Sequence, residues 1–440
     1  MARWSQRDPH ATLYDIREYC SSISELLSSE KGELFRWRSA DFSRSRVLSP
    51  ELVVMLLLYL VADAGKRGYQ LLIRAFWDEC SSHGLPLRSE TAVTAQAFCA
   101  ARHKLKPELL RQLVLRSAAQ WDAEYGASHR FRGFRVLAID GAKINLNRGD
   151  ELFDYFGAPS GGHYPQLLLS TLYNPLSKRV HDLRVAPQDG NERRELEELM
   201  PSLSPGDLLV ADRGYPSFRI FEKLLQAGCH FVIRSPKSKT FKEVQDFMES
   251  GRKQGWVTLY PPSDYPDRAA APIKLRIAVF REFSDDPIVL LTDLGSRSLT
   301  RQDLLTIYRL RWKIEEFYGL AQGDFLGQRQ YHATTPEGIM QEVFAMALLI
   351  NLVRSCAAAA AEQHGVSYQH LCEKEAVLAT ASYLTRLLLQ TDLEVLSQIF
   401  VRLLRRIGTC TYKPRPGRSH PRRSFKPRSK WCATGKRGEK

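Results

Sequence analysis

The alternation of short apolar runs with amphipathic runs after residue 133 constrains the fold more than any other feature of the sequence. Runs of strand length, rich in Val, Leu and Ile, alternate with runs of helix length, and polar residues, glycine or proline bound them. Apolar strands interleaved with helices predict a mixed α/β fold, in which helices cover one sheet. The predicted strands are FRVLAID, QLLLSTLYN (166–174), RVHDLRVA (179–186), GDLLVADRGY (206–215) and HFVIR (230–234), and the predicted helices are NERRELEELM (191–200) and PSFRIFEKLLQAG (216–228).

The order of these elements is three strands, then helix, strand, helix and strand, which resembles the ribonuclease H-like fold. A further strand, IVLLTDL (288–294), precedes a long helix that is expected to start at Ser298-Leu299-Thr300 and to run past Gln322. The sequence around this core is predicted to be helical on both sides. The predicted division is a helical N-terminal domain at 1–130, the core at 131–335 with a β-rich insertion at about 235–287, a helical region at 336–405 and a basic tail at 406–440.

The net charge of +14 lies almost entirely at the C-terminal end of the sequence. Residues 401–440 contain 14 Lys and Arg and one acid, Glu439, so the first 400 residues are close to neutral. A charge block of this kind is either a solvated, disordered terminus or an arm that binds phosphate. The two interpretations are compatible, because such an arm can become ordered only when it binds a polyanion.

Other features of the sequence exclude several classes of protein. The eight cysteines include no C-x-x-C pair and no His/Cys cluster with zinc spacing, which indicates reduced thiols. The N-terminus lacks the apolar stretch of a signal peptide. The longest apolar runs, Leu52–Ala62 and Ala345–Val353, are shorter than a bilayer requires and are expected to form buried helices. We therefore expect a cytoplasmic protein that does not act at a membrane.

Two aspartates follow apolar strands at points where the chain is expected to turn. Asp140 lies in AIDGAK and Asp212 in VADRGY, each close to a glycine, Gly141 or Gly214, that allows a sharp exit and close backbone approach. If the two strands are neighbours, both carboxylates project from one edge of the sheet. Carboxylates held rigidly at such an edge suit divalent metals that cut phosphodiester bonds. The alternative is that each aspartate is an ordinary turn or helix-capping residue.

A third acid lies on the helix that contains YRLRWKIEEFYGLAQ. At about 100° per residue, Arg311, Glu315 and Gln322 fall on the same face as Tyr308, and an apolar stripe falls on the opposite face. Glu316 is rotated by about 100° from Glu315 and cannot share its role. The alternative is a solvated face on which Arg311 and Glu315 form an i, i+4 ion pair.

These motifs resemble those of bacterial insertion-sequence DDE transposases of the insertion sequence 4-like group. The spacing Tyr308-x2-Arg311-x3-Glu315 is similar to the Y-x2-R-x3-E-x6-K signature of that group, with Gln322 at the position of the final Lys. Ile139-Asp140-Gly141 and Asp212-Arg213-Gly214-Tyr215 match its "IDG" and "DRGY" motifs. The resemblance covers roughly residues 40–430, including the insertion and the basic C-terminal end.

The resemblance implies a metal-dependent transposase that cleaves DNA at the ends of a mobile element and joins them to a target. Asp140, Asp212 and Glu315 would be catalytic ligands of Mg²⁺ or Mn²⁺. The partners would be double-stranded DNA, as terminal inverted repeats and as target, and a second copy of the chain in a homodimeric synaptic complex, with no small-molecule substrate. The N-terminal helices would serve DNA binding or dimerisation. The DNA-contacting residues would be Tyr308, Arg311, Gln322, Arg213 and Lys143.

Several alternatives remain open at this point. Gln322 keeps a hydrogen-bonding group but lacks the positive charge of the signature Lys, and Arg213 either touches DNA or forms a structural ion pair. A metal-dependent nuclease of the same fold would keep all three acids and would not join DNA ends. A non-catalytic DNA-binding relative would not need the acids at all.

Overall fold

The computed structural model describes residues 9–63, 67–236, 241–267, 269–281, 287–321 and 331–412. Internal contacts divide the chain into two units, each assembled from separate segments. The helical unit comprises residues 1–120, 145–167 and 319–440, and the sheet unit comprises residues 121–144 and 168–318. The division predicted along the sequence, with boundaries near 130, 335 and 405, stays a prediction.

The N-terminal region is helical where the sequence pattern predicts helices. The second helix shows why: the Ser49 hydroxyl accepts a hydrogen bond from the Leu52 amide, and Pro50 stands at the first helical position, where no amide donor is needed. The helix then buries nearly all of its apolar side chains. The N-terminal helices are α1 (Pro9–Ser28), α2 (Pro50–Ala62), α3 (Tyr69–Ser82), α4 (Ala95–Arg102) and α5 (Pro107–Tyr125).

One mixed sheet of eight strands follows, in the order β3-β2-β1-β4-β5-β8-β7-β6. Strand β4 pairs in parallel with β1 and β5, whereas β8 and β7 run antiparallel to their neighbours. The mixed α/β class predicted from the sequence is confirmed. The elements are β1 (Val136–Asn145), α6 (Asp150–Phe156), β2 (Gln166–Asn174), β3 (Arg179–Pro187), α7 (Glu192–Leu199), β4 (Leu208–Ala211), α8 (Phe218–Gln226), β5 (His230–Ser235), α9 (Lys242–Glu249), β6 (Gln254–Leu259), β7 (Ile273–Phe280), β8 (Ile288–Thr292), α10 (Arg301–Leu310) and α11 (Lys313–Leu320).

Both faces of the sheet are covered, so its central strands are apolar without interruption. In β4, Leu209 and Ala211 pack with the helices α7 and α8, and Leu208 and Val210 pack with α10. All four side chains are fully buried. Because successive side chains of a strand point to opposite faces, this alternation fixes which helix each residue at the end of β4 can meet.

The segment predicted as a β-rich insertion supplies the last two strands at one side of the same sheet. Strands β6 and β7 pair antiparallel over six residues, and β7 pairs with β8. The segment also contains a helix, α9, which the sequence pattern did not predict. One phenylalanine accounts for part of this packing: Phe247 of α9 is buried and lies against Gly255 of β6.

The prediction of a single long helix from Ser298 past Gln322 is wrong. Helix α10 ends at Leu310 and α11 begins at Lys313. Between them the backbone forms i→i−3 hydrogen bonds, from the Arg311 amide to the Tyr308 carbonyl at 3.1 Å and from the Ile314 amide to the Arg311 carbonyl at 3.0 Å. Such bonds tighten the chain to about three residues per turn, so the two halves do not share one continuous 100° repeat. Residues 322–330, with Gln322, lie outside the described residues.

The C-terminal helices are α12 (Pro336–Gln363), α13 (Glu373–Leu389) and α14 (Leu393–Thr409). The apolar run at Ala345–Val353 was expected to be too short to cross a bilayer, but α12 has 28 residues and is the one helix of the described ranges that is long and apolar enough. Its apolar window is wholly buried inside the protein. It is therefore weak evidence for a membrane, since core helices have the same composition.

Candidate active site

The two aspartates lie side by side at one edge of the sheet unit. The parallel register pairs Val136 with Leu208 and Ala138 with Val210, and one further pleat brings Asp140 next to Asp212. By the same alternation both carboxylates face α10. The two strands are neighbours, which the sequence analysis left as a condition. The predicted exit of the chain after Asp140 is wrong. Strand β1 continues past Asp140 to Asn145, and the buried side chain of Ile144 extends the apolar face of this strand.

Arg311 brings the three predicted acids together. Its guanidinium lies 3.4 Å from Asp140 Oδ2, 3.6 Å from Asp212 Oδ2 and 3.9 Å from Glu315 Oε1. The turn between α10 and α11 places this side chain against the sheet edge, where only 6% of it is exposed. The acids are more open, with 24%, 30% and 46% of the Asp140, Asp212 and Glu315 side chains exposed. The carboxylates therefore surround one buried cation and reach solvent on their outer side.

Tyr308 holds Asp212 from the side of α10. Its hydroxyl donates a hydrogen bond of 3.0 Å to Asp212 Oδ1, and Arg234 donates to the same hydroxyl at 3.4 Å. The ring is almost completely buried, and this burial raises the pKa of Tyr308, so that the hydroxyl stays protonated. The second carboxylate oxygen of Asp212 is the one that faces Arg311.

Asp140 is held through its backbone and its environment. The Tyr318 hydroxyl donates to the Asp140 carbonyl at 2.8 Å and to the Leu169 carbonyl at 3.2 Å. Burial raises the pKa of Asp140 to about 6, against the lowering effects of the Arg311 charge and the Gly141 amide, and the charges of Glu192 and Asp212 raise it further. A carboxyl in this position is destabilised as an anion unless a cation is close to it.

A family comparison fits this arrangement. The family model described as "Transposase DDE domain" matches residues 131–352, which is half of the chain. The chain belongs to the DDE transposase family. Among solved structures, a cryo-EM structure of a piggyBac transposase synaptic complex with hairpin DNA is similar at 13% sequence identity and a TM-score of 0.43, covering 95% of this chain and 88% of that chain. No curated protein matches the sequence.

The acids of this DDE transposase can be tested for their fit to a divalent cation. Three carboxylates are the oxygen donors that Mg²⁺ and Mn²⁺ prefer. In the described ranges, no group of three or more His, Cys, Asp or Glu lies close enough together to hold a metal as it stands. The three carboxylate oxygens lie 3.4, 3.6 and 3.9 Å from the Arg311 guanidinium, which is longer than the roughly 2.1 Å of a magnesium–oxygen bond. The site thus fits a cation in charge and donor type, and Arg311 now supplies that charge.

Four of the five predicted DNA-contacting residues of the transposase lie in the described ranges, and they divide into two groups. Arg213 and Lys143 have exposed side chains close in sequence to Asp212 and Asp140, which leaves them accessible to a ligand. Tyr308 and Arg311 are buried and already bound to the acids. Gln322 lies outside the described residues. Their contacts with DNA stay predictions.

Two residues of interest were missed in the sequence. Trp312, the residue after Arg311, is 57% exposed at the turn between α10 and α11. Glu192 begins α7 and lies against Gly141 and Gly214. The glycines beside the two aspartates were the available signal, because a glycine that is not required by a turn often marks the close approach of another group.

Proposed function

We propose that this transposase cleaves phosphodiester bonds at the ends of a mobile DNA element and joins the freed ends to target DNA, with Asp140, Asp212 and Glu315 holding Mg²⁺ or Mn²⁺. The convergence of the three carboxylates on one buried cation supports this most directly. Membership of the DDE transposase family agrees with it. The ribonuclease H-like core and the insertion sequence 4-like group, with Gln322 in place of the signature Lys, belong to the same proposal.

The residues around the acids have distinct tasks in this scheme. The bound cations would lower the pKa of the attacking water and stabilise the leaving oxygen. Tyr308 fixes Oδ1 of Asp212 by a hydrogen bond and leaves Oδ2 directed toward the point between the three acids where Arg311 lies. Tyr318 fixes the backbone at Asp140. Arg311 balances the acids in the metal-free protein and has a planar guanidinium suited to phosphate.

The DNA is proposed to approach the exposed side of the acids. Arg213 and Lys143 offer cations there, and the exposed indole of Trp312 offers a surface on which a base can stack. The helices within residues 1–130 are proposed to bind the terminal inverted repeats and to dimerise in the synaptic complex. The protein would act on double-stranded DNA at the nucleoid, in the cytoplasm, without an organic cofactor or a membrane.

A joining assay separates this function from its alternatives. The full chain is mixed with Mg²⁺, DNA that carries the inverted repeats flanking its gene, and a target plasmid. We expect cut ends that become covalently joined to the plasmid. Ends that are cut and never joined would indicate a nuclease. If neither cutting nor joining occurs while the DNA is bound, the chain is a non-catalytic DNA-binding relative.

The basic C-terminal tail is expected to bind phosphate without sequence preference. Residues 413–440 lie outside the described residues, so the prediction rests on their charge alone. Deleting 411–440 should weaken binding to repeat DNA and to unrelated DNA alike, and should make the logarithm of the affinity depend less steeply on salt concentration. Fluorescence anisotropy between about 50 and 200 mM salt measures both effects. An unchanged slope would show that the tail is not a phosphate-binding arm.

A further inference from the structure

The carboxylate of Glu192 lies against two glycines that flank the catalytic aspartates. A methyl group placed on Gly141 would stand 2.7 Å from Glu192 Oε1, and one placed on Gly214 would stand 3.1 Å from Glu192 Oε2. Gly141 directly follows Asp140, and Gly214 lies two residues after Asp212. One carboxylate thus spans the strand and the loop that carry two of the three acids, and it reaches both because neither position has a side chain.

Helix α7 is anchored so that its first residue stays at this place. The Asn191 side chain caps the helix by accepting a hydrogen bond of 2.9 Å from the Arg193 amide. The Arg193 side chain donates to the Gly214 carbonyl, also at 2.9 Å. The start of α7 is therefore bound to the loop after β4, and Glu192 is held beside the catalytic edge rather than free in solvent.

Glu192 and the aspartates share one electrostatic environment. Burial raises the pKa of Glu192, Lys143 opposes the rise, and the charge of Asp212 adds to it. Glu192 in turn is one of the charges that raise the pKa of Asp140. The geometry places the Glu192 carboxylate at the same edge, against the glycines that follow Asp140 and Asp212 in the sequence.

A buried hydroxyl without a partner points to the same place. Tyr215, the last residue of the DRGY motif, is 1% exposed, and its hydroxyl has no hydrogen-bond partner among the described residues. Burial raises the pKa of this hydroxyl, and the charges of Glu192 and Asp140 raise it further. An unsatisfied buried hydroxyl is costly, and a cation-bound water or a repositioned carboxylate at this edge would satisfy it.

We propose that Glu192 is a fourth acidic residue of the active site, whose carboxylate acts with those of Asp140 and Asp212 in holding the divalent cation. The inference rests on the proposed function and adds a ligand to its metal site. It also explains why glycine stands at positions 141 and 214, because a side chain at either position would crowd the Glu192 carboxylate. The competing explanation is a structural role, in which Glu192 supports the loop at Gly214 and has no part in binding the cation.

Binding of Mn²⁺ to the full chain without DNA, followed by electron paramagnetic resonance, tests the assignment without relying on activity. We expect Glu192→Gln to lower the affinity for Mn²⁺ by about 10- to 100-fold, in the range seen when groups that support a metal site are removed. Gly141→Ala, which displaces the same carboxylate, should lower it as well. Glu198→Gln is the matched control, because it removes the same charge from the exposed side of α7.

The outcomes distinguish this inference from the function on which it rests. If Asp212→Asn loses Mn²⁺ while Glu192→Gln binds it as the unmodified chain does, Glu192 is not part of the site and the proposed function stands. If neither change affects binding, the metal site itself is wrong. A loss of thermal stability in Glu192→Gln with unchanged Mn²⁺ affinity would assign Glu192 a structural role instead.

Discussion

Replacing Asp212 with asparagine is expected to abolish DNA strand cleavage while leaving the protein folded. The change removes one negative charge and alters no volume, but it takes a carboxylate from the place where the cation must be held. Stabilisation of the transition state by such a cation is worth several kcal/mol, so the cleavage rate should fall by roughly a thousandfold or more. Labelled DNA that carries the element's ends, incubated with the full chain and Mg²⁺, measures the rate.

Two further variants show whether the loss comes from the metal site. Tyr308→Phe removes the 3.0 Å hydrogen bond to Asp212 and keeps the carboxylate, so cleavage should fall by a smaller factor of about 10 to 100. Asp246→Asn, on the exposed side of α9, removes the same charge far from the acids in sequence and should leave the rate unchanged. If Asp212→Asn cleaves DNA as fast as Asp246→Asn does, the assignment of Asp212 to the metal site is wrong.

The sheet could be predicted from the sequence because burial on both faces leaves a strong signal. Strand β4 is apolar at every position, and Asp212, which follows it, marks where the chain leaves the core. The sequence left the pairing of β1 with β4 open, and the parallel register of Val136 with Leu208 and of Ala138 with Val210 establishes it. The local periodicity of apolar residues was therefore enough to predict the fold class and the position of Asp212 at the end of a strand.

Features that depend on packing across the unit could not be predicted. The break at Arg311 has no glycine or proline to announce it, and it forms where the arginine turns toward the aspartates. Asp140 lies inside a strand because β1 gains pairing and burial beyond it, which its own neighbours in the sequence do not reveal. Glu192 was hidden for a related reason: an acid at the first position of a helix is common for the helix alone, and its approach to Gly141 is visible only in three dimensions.

Removing the Arg311 guanidinium is expected to destabilise the metal-free protein and to increase its response to divalent cations. Arg311→Met keeps much of the buried volume but leaves Asp140, Asp212 and Glu315 without their shared counter-charge. Loss of one partner from a fully buried ion pair costs about 3–5 kcal/mol. Because these carboxylates are partly exposed to water, we expect the free energy of unfolding to fall by a smaller amount, about 1–3 kcal/mol.

The response to the cation follows from the same geometry. In the unmodified chain an incoming cation must compete with a guanidinium that already lies within 4 Å of all three acids, whereas in Arg311→Met it meets only negative charge. Saturating Mn²⁺ should therefore raise the free energy of unfolding more in the variant than in the unmodified chain, as urea titrations with EDTA and with Mn²⁺ would measure. Arg309→Met, on the exposed side of α10, controls for the loss of one positive charge. Equal losses of stability in the two variants, or equal responses to Mn²⁺, would mean that Arg311 does not occupy the position that the cation takes.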